Sequence, residues 1–395
     1  MAMLFPRKIE KRLTPYLNSS EIIVITGMRR VGKTTLCQLI FESIKSKNKA
    51  FFDLENPLVQ KLFEELDYNN VVANLREYGI LPDKKAYIFL DEIQSMPGIV
   101  KTVKYLYDHY GFKFFLTGSS SYYLKNLFPE SLAGRKFVFE LYPLDFEEFC
   151  IFKKIQREPY KTFAQKDKRK NYIRYQKLKA LYEEFLRYGG FPQVVLESDV
   201  SRKKMHLQDI FKSYFEKDVQ SLAKFREIQV FRDLLFLLMP RSGAKLDITR
   251  ISCELGTSRE TVYSYLSFLQ GTFFISLAPP FTKSADKLVS KAKKIYFCDT
   301  GLVGEFSRIG EGALFENAVY NSLRPYGQVQ YYQKKSGGEI DFVLNAKIGL
   351  EAKLKGIPRD LAKLKNRSGK LGLKESYVIT KEYVAAPGFI SAVDL

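Results

Sequence analysis

Five short apolar runs, rich in β-branched and aromatic side chains, mark the first 150 positions: Glu21 to Thr26, Ala50 to Leu54, Ala86 to Glu92, Phe112 to Thr117 and Lys136 to Leu141. Helical stretches separate them, the first from Leu36 to Ile44. Strands that are apolar on both faces and alternate with helices predict an α/β fold, a parallel sheet covered on either side. Near Asp247 the pattern shortens: a helix from Thr249 to Leu255, Gly256, then Thr257-Ser258-Arg259-Glu260 opening a helix whose Val262, Leu266 and Leu269 share a face. Strands are predicted at Thr272 to Leu277 and Lys294 to Phe297. A last block reads as a helix from about Gly312 to Leu323, strands Val329 to Gln333, Glu339 to Leu344 and Gly349 to Leu354, a basic helix from Asp360 to Asn366 and a strand from Ser376 to Thr380.

Composition agrees with a multidomain globular chain. At 395 residues, 46% of them hydrophobic and 27% charged, two or three domains are expected, and a single small binding module, a disordered chain and a fibrous chain are excluded. No uncharged apolar run approaches the roughly 18 residues that cross a bilayer, and Met1 to Lys8 lacks the apolar centre of a signal peptide, so a cytoplasmic protein with no membrane partner is expected. The four cysteines, Cys37, Cys150, Cys253 and Cys298, are far apart, and His109 and His206 are the only histidines. This is poor material for a zinc site, a disulfide framework or histidine-based nucleophilic catalysis. Charge is uneven: residues 1–150 hold 20 basic and 18 acidic side chains, whereas 151–395 hold 43 and 26. The later part is therefore the expected meeting place for a polyanion, with DNA the expected partner.

Candidate chemistry begins directly after the first strand, with Gly27-Met28-Arg29-Arg30-Val31-Gly32-Lys33-Thr34-Thr35 leading into a helix. Glycines at this spacing let backbone N–H groups turn around phosphate oxygens, with the helix N-terminus adding partial positive charge. Lys33 would reach the β and γ phosphates of ATP, and Thr34 would offer its hydroxyl to Mg²⁺. The third strand ends in adjacent acids, Asp91 for the Mg²⁺ shell and Glu92 for polarising the attacking water. The fourth ends Leu116-Thr117-Gly118-Ser119-Ser120, placing hydroxyls where a γ-phosphate could be sensed. With Asp53-Leu54-Glu55-Asn56-Pro57, Leu90-Asp91-Glu92-Ile93-Gln94, Leu132-Ala133-Gly134-Arg135 and Tyr142 to Phe149, the first 150 residues resemble the prokaryotic AAA-type ATPases of the additional-strand class, in particular a large bacterial and archaeal family of ATP-binding proteins. The resemblance implies that Thr117 or Ser119 is the sensor. It also implies a homo-oligomer, with Arg135 at the position of an arginine finger offered to a neighbouring subunit; an internal salt bridge is the other reading of Arg135.

Residues 151–225 read as a helical lid with a basic insertion between 151 and 180, a stretch that touches nucleic acid or is a solvated insertion. Tyr188-Gly189-Gly190-Phe191-Pro192 reads as a helix stop. Residues 226–300 read as a winged helix, whose second helix offers only Arg259, Ser264 and Ser267 to a groove, so it is a base reader or a protein contact.

In 301–395, strand alternation puts Glu351 and Lys353 on one face, with Asp341 on the preceding strand able to join them. Two acids and a lysine suit metal-assisted attack on a phosphodiester. This order of elements, with Asp341 and Glu351-Ala352-Lys353, resembles the PD-(D/E)xK nucleases. The resemblance implies that Glu316 joins Asp341 and Glu351 in holding Mg²⁺ or Mn²⁺ and that Lys353 serves the attacking water. The chain thus reads as an ATPase joined to a metal-dependent DNA nuclease, or as an ATP-dependent switch or scaffold whose nuclease-like part only binds.

Overall fold

In the computed structural model the five apolar runs become strands β1 (Ile22–Thr26), β2 (Lys49–Asp53), β3 (Tyr87–Asp91), β4 (Lys113–Gly118) and β5 (Lys136–Glu140) of one parallel sheet, ordered β2-β3-β4-β1-β5. The structure describes residues 5–119, 132, 134–156, 160–220, 228–282, 291–334 and 337–395. Ser120, Ser131, Ala133, Arg157, Glu158, Lys335 and Ser336, which belong to stretches noted above, lie outside the described residues. Two units divide the chain, Met1–Tyr142 with Gly271–Phe273, and Pro143–Gln270 with Phe274–Leu395.

Aromatic side chains in register tie the first sheet together. Phe51 on β2 pairs with Phe89 on β3, which pairs with Phe115 on β4; the Phe89 and Phe115 rings stack at 4.4 Å. Phe41, from the helix Lys33–Ser43, meets Phe89 edge-on at 5.4 Å. Such ring pairs add about 0.5–1.5 kcal/mol each beyond area burial, and here they seat the helix that follows the glycine loop. Ile88, Leu90, Phe114 and Leu116 share a buried cluster with Val71, Leu75, Val103 and Leu106 of the helices Tyr68–Glu77 and Ile99–Tyr110. The α/β expectation therefore holds for this unit.

The second unit opens with helices, the longest being Tyr172–Tyr188 and Val200–Tyr214. The basic run expected as an insertion is partly internal. Lys166 donates to the Asp394 and Leu395 carbonyls at 2.5 and 2.7 Å, Lys170 to the Phe389 carbonyl at 2.8 Å and to Asp167 at 2.7 Å, and Arg174 pairs with Asp394 at 3.1 Å. These cations fasten the C-terminal residues rather than face solvent. Helices Ile228–Leu238, Ile248–Glu254 and Arg259–Gly271 precede an antiparallel pair, β6 (Ile275–Ala278) and β7 (Lys294–Phe297).

The expected Gly189 helix stop is also a packing joint. Gly189 caps Tyr172–Tyr188 at φ +76, and a Cβ there would lie 2.1 Å from Asp299 Oδ1. Asp299 accepts from Gly190 N at 2.7 Å and Leu302 N at 3.1 Å and heads the helix Thr300–Phe306.

A mixed sheet follows, ordered β12-β11-β10-β9-β8, from β8 (Val329–Gln333), β9 (Glu339–Leu344), β10 (Ile348–Lys353), β11 (Glu375–Thr380) and β12 (Phe389–Ser391). The basic helix extends beyond its expected bounds, Pro358–Leu371. Its Leu361 and Leu364 bury against Ile340, Val343, Val378 and Phe389. The strand β12 has no counterpart in the sequence expectations. Among the described residues no helix is long and apolar enough to cross a membrane.

Candidate functional site

Strand order builds the first site. Because β4 lies between β1 and β3, the glycine loop after β1 and the acids ending β3 flank Thr117 near the end of β4. Gly27 must lack a side chain, since a Cβ would lie 2.0 Å from the Leu141 carbonyl oxygen. Gly32, in the left-handed region, opens the helix that begins at Lys33. Lys33 is buried, its ammonium donating to the Gly27 and Met28 carbonyls at 3.1 and 3.2 Å. Arg29 lies 3.8 Å from Glu55, and Arg30 holds φ +65. Val31 is fully buried, and Thr35 follows Thr34 in the first helical turn.

Asp91 and Thr34 come together as expected: the Thr34 hydroxyl donates to Asp91 Oδ2 at 2.7 Å. The Thr117 hydroxyl donates to the other Asp91 oxygen and accepts from Glu92 N at 2.9 Å. Burial pushes the Asp91 carboxyl above its ordinary pKa and Glu92 adds to the rise, while the two threonine bonds and Lys33 oppose it. A hydroxyl and a carboxylate meeting at a phosphate loop are an oxygen donor set that fits Mg²⁺.

Glu92 sits at φ +53, the left-handed region, a conformation that costs a non-glycine residue on the order of 1–3 kcal/mol. Gln94 donates to the Glu92 carboxylate and accepts from Ser119 N at 3.3 Å. Thr117, one of the two sensor candidates, thus spends its hydroxyl on both acids. Ser119 is linked through Gln94, a residue to which the sequence reading gave no role. Arg135 is tied within the chain: its Nε lies 2.9 Å from Asp108 Oδ1 and its Nη2 3.4 Å from Oδ2. That is the internal-salt-bridge reading of Arg135.

In the second unit Glu316, on the helix Glu311–Leu323, meets a cation and a phenol. Lys294 Nζ lies 3.1 Å from Glu316 and 2.7 Å from Glu339, and the Tyr296 hydroxyl donates to Glu316 at 2.7 Å. Burial and repulsion from Asp341 raise the Glu316 carboxyl, whereas Lys294 and Tyr296 lower it. The β9–β10 ladder runs to Leu350 and Phe342, and beyond it the Asp341 carboxylate accepts from Ala352 N at 2.9 Å. Glu351 is buried and paired with Arg367 at 3.0 Å, with Lys353 at 3.8 Å. Burial and Asp341 push its carboxyl up against the pull of Lys353 and Arg367.

Glu351 and Lys353 share a side, as strand alternation predicted. The expected metal set of Glu316, Asp341 and Glu351 is a different matter: among the described residues no three Asp, Glu, His or Cys side chains group to hold a metal ion. Glu316 is paired with Lys294 and Glu351 with Arg367, so two of the three acids already face a cation from the chain, and this arrangement does not fit the metal that the nuclease resemblance implies. Lys294, Tyr296, Glu339 and Arg367 had no role in the sequence reading. The only hint of Lys294 was its place at the start of a predicted apolar strand.

Comparison with known proteins agrees with the first site. An AAA domain matches residues 19–150, and two domains of unknown function (DUF8612 and DUF4143) match 179–312 and 311–388. Uncharacterized protein MJ1544 of Methanocaldococcus jannaschii is 32% identical over 359 residues, covering 87% of this chain and 75% of that protein. An uncharacterized protein of Haemophilus influenzae is 27% identical, covering 87% and 84%. Solved structures align more distantly. The Thermotoga maritima RuvB Holliday junction branch migration motor aligns at TM-score 0.32 and 15% identity, over 70% of this chain and 90% of that one. The Aeropyrum pernix ORC1 protein in complex with DNA aligns at TM-score 0.34 and 13% identity, over 82% and 95%. The phosphate loop with its paired acids, the AAA domain that contains them and the similarity to the M. jannaschii protein over 87% of this chain lead to one assignment: the chain belongs to the AAA-domain family that includes that protein.

Proposed function

We propose that this protein hydrolyses ATP in its first unit and that its second unit holds nucleic acid without cutting it. We read 151–225 as a helical lid, 226–300 as a winged helix and 301–395 as a nuclease-like domain. For hydrolysis the observation that carries the reading is the junction of Thr34, Asp91, Thr117 and Glu92 beside the glycine loop. The loop N–H groups and Lys33 hold the phosphates. Thr34 and Asp91 would hold Mg²⁺, which when bound neutralises charge developing on the phosphate oxygens. Glu92, its carboxylate steadied by Gln94, takes a proton from the attacking water. The water oxygen bonds to the γ-phosphorus as the bond to the bridging oxygen breaks and ADP leaves.

For holding rather than cutting, the reading is supported by Lys294, whose ammonium lies between Glu316 and Glu339. A fixed cation there offsets part of the negative charge that would otherwise draw a metal. The excess of 43 basic over 26 acidic residues in 151–395 supports a phosphate-rich partner. Two assays on the full chain test the proposal. Lys33→Ala should abolish ATP turnover, and wild type and Asp341→Ala should both leave linear, branched and single-stranded DNA intact with Mg²⁺ or Mn²⁺. Cleavage by wild type that disappears in Asp341→Ala would restore the nuclease reading.

A further inference from the structure

The helix Pro358–Leu371 turns Leu361, Leu364 and Ser368 inward. Helical spacing then gathers Lys363, Asn366, Arg367 and Lys370 on another face. Together with Lys334, just after β8, these residues line a concave pocket of about 420 Å³. Among the described residues no acidic side chain lines it. Among the described residues Lys334, Lys363 and Lys370 have no carboxylate partner. Arg367 is anchored at one nitrogen, Nη1, which donates to the Glu339 carbonyl at 2.7 Å and to Glu351 at 3.0 Å. Like charges gathered in a hollow repel one another unless an anion joins them.

We propose that this pocket binds the sugar–phosphate backbone of a nucleic acid. At a rise of 1.5 Å per residue, Lys363 and Lys370 stand about 10 Å apart along the helix, a span over which one strand carries about three phosphates. A row of cations of that length suits a strand better than a single phosphate group. Asn366, between them, adds amide donors and an acceptor for sugar or phosphate oxygens. The proposal rests on the reading of the second unit as a nucleic-acid holder and names the surface that does the holding.

The test measures binding of the full chain, without nucleotide, to a labelled DNA duplex and to a single strand across a salt series. Lys363→Ala/Lys370→Ala should reduce the slope of log affinity against log salt by about 1.8 on duplex and about 1.4 on single strand, on the order of 50-fold weaker duplex binding near 0.1 M salt. DNA-free ATP turnover should stay at the wild-type value and the DNA-free melting temperature should not fall, and Lys365→Ala, on the same helix but outside the pocket, should keep the wild-type slope. Wild-type binding with an unchanged slope in the double variant overturns the pocket alone. Absence of wild-type binding to either DNA overturns the pocket and the holding function together. Displacement of DNA by an acidic polypeptide of equal charge as readily as by unlabelled DNA overturns the assignment to a phosphate backbone.

Discussion

Asp91 and Glu316 are both carboxylates that burial pushes toward the protonated form, yet their neighbours differ in kind. Asp91 is held by two neutral hydroxyls, those of Thr34 and Thr117. Each uses one lone pair, and a carboxylate offers about four, so room remains for an incoming cation. Glu316 is held by the ammonium of Lys294 together with the Tyr296 phenol. A positive charge already stands at its carboxylate, shared with Glu339. Two groups of acids that look alike in sequence are thus prepared for different uses, and the difference lies in the partner rather than in the acid.

The largest effect expected from breaking this contrast is on turnover. Glu92→Gln should keep ATP bound while slowing hydrolysis by about 10²- to 10⁴-fold, as loss of a general base does; phosphate release and nucleotide binding measured side by side check it. Next comes Lys294→Met, which leaves Glu316 and Glu339 without their cation. Unfolding experiments should find about 3–5 kcal/mol lost, and Mn²⁺ should raise the melting temperature of the variant more than that of wild type. An unchanged melting temperature in Lys294→Met would erase the contrast.

Asp299 offers a third way of holding an acid, by backbone N–H groups alone, and burial pushes its carboxyl up to about 6 from an ordinary 3.8 despite them. A raised acid favours the folded state most below 3.8, and that contribution is lost as pH rises through about 6. Asp299→Asn should flatten that part of the stability curve, as thermal melts across the window would report. Thr117→Val should cost about 1–3 kcal/mol, because it strands the Glu92 N–H, and should also slow turnover without abolishing nucleotide binding. Smallest is Arg135→Ala. A partly exposed pair with Asp108 is worth about 0.2–1 kcal/mol, so stability and turnover should barely move. A loss of about 10³-fold in turnover would instead return Arg135 to the arginine-finger role.

The phosphate loop was legible because its chemistry is local: nine consecutive residues, Gly27 to Thr35, carry glycines, lysine and hydroxyl in one turn. Asp91 and Glu92 could be found because a strand end announces them. The second cluster was legible only in Glu316, Asp341, Glu351 and Lys353. Lys294 stands on β7, 22 residues before Glu316, and strand alternation says nothing about which distant carboxylate a lysine will meet. Arg367 was hidden for a similar reason, since a basic helix face looks the same whether its cations meet solvent or reach a buried glutamate. The inward turn of Lys166 and Lys170 was not legible, because the backbone carbonyls that accept from them lie more than 200 positions away.

Glu92 occupies a backbone conformation that glycine adopts freely. Exchange for glycine there would relieve strain of about 1–3 kcal/mol against roughly 0.5–1 kcal/mol of added chain entropy. A laboratory selection for heat resistance alone would therefore reward loss of this side chain and deliver a sturdier protein that no longer turns over ATP. Stabilising campaigns on this chain need an activity screen at every round, and position 92 is one where the two selections would pull apart.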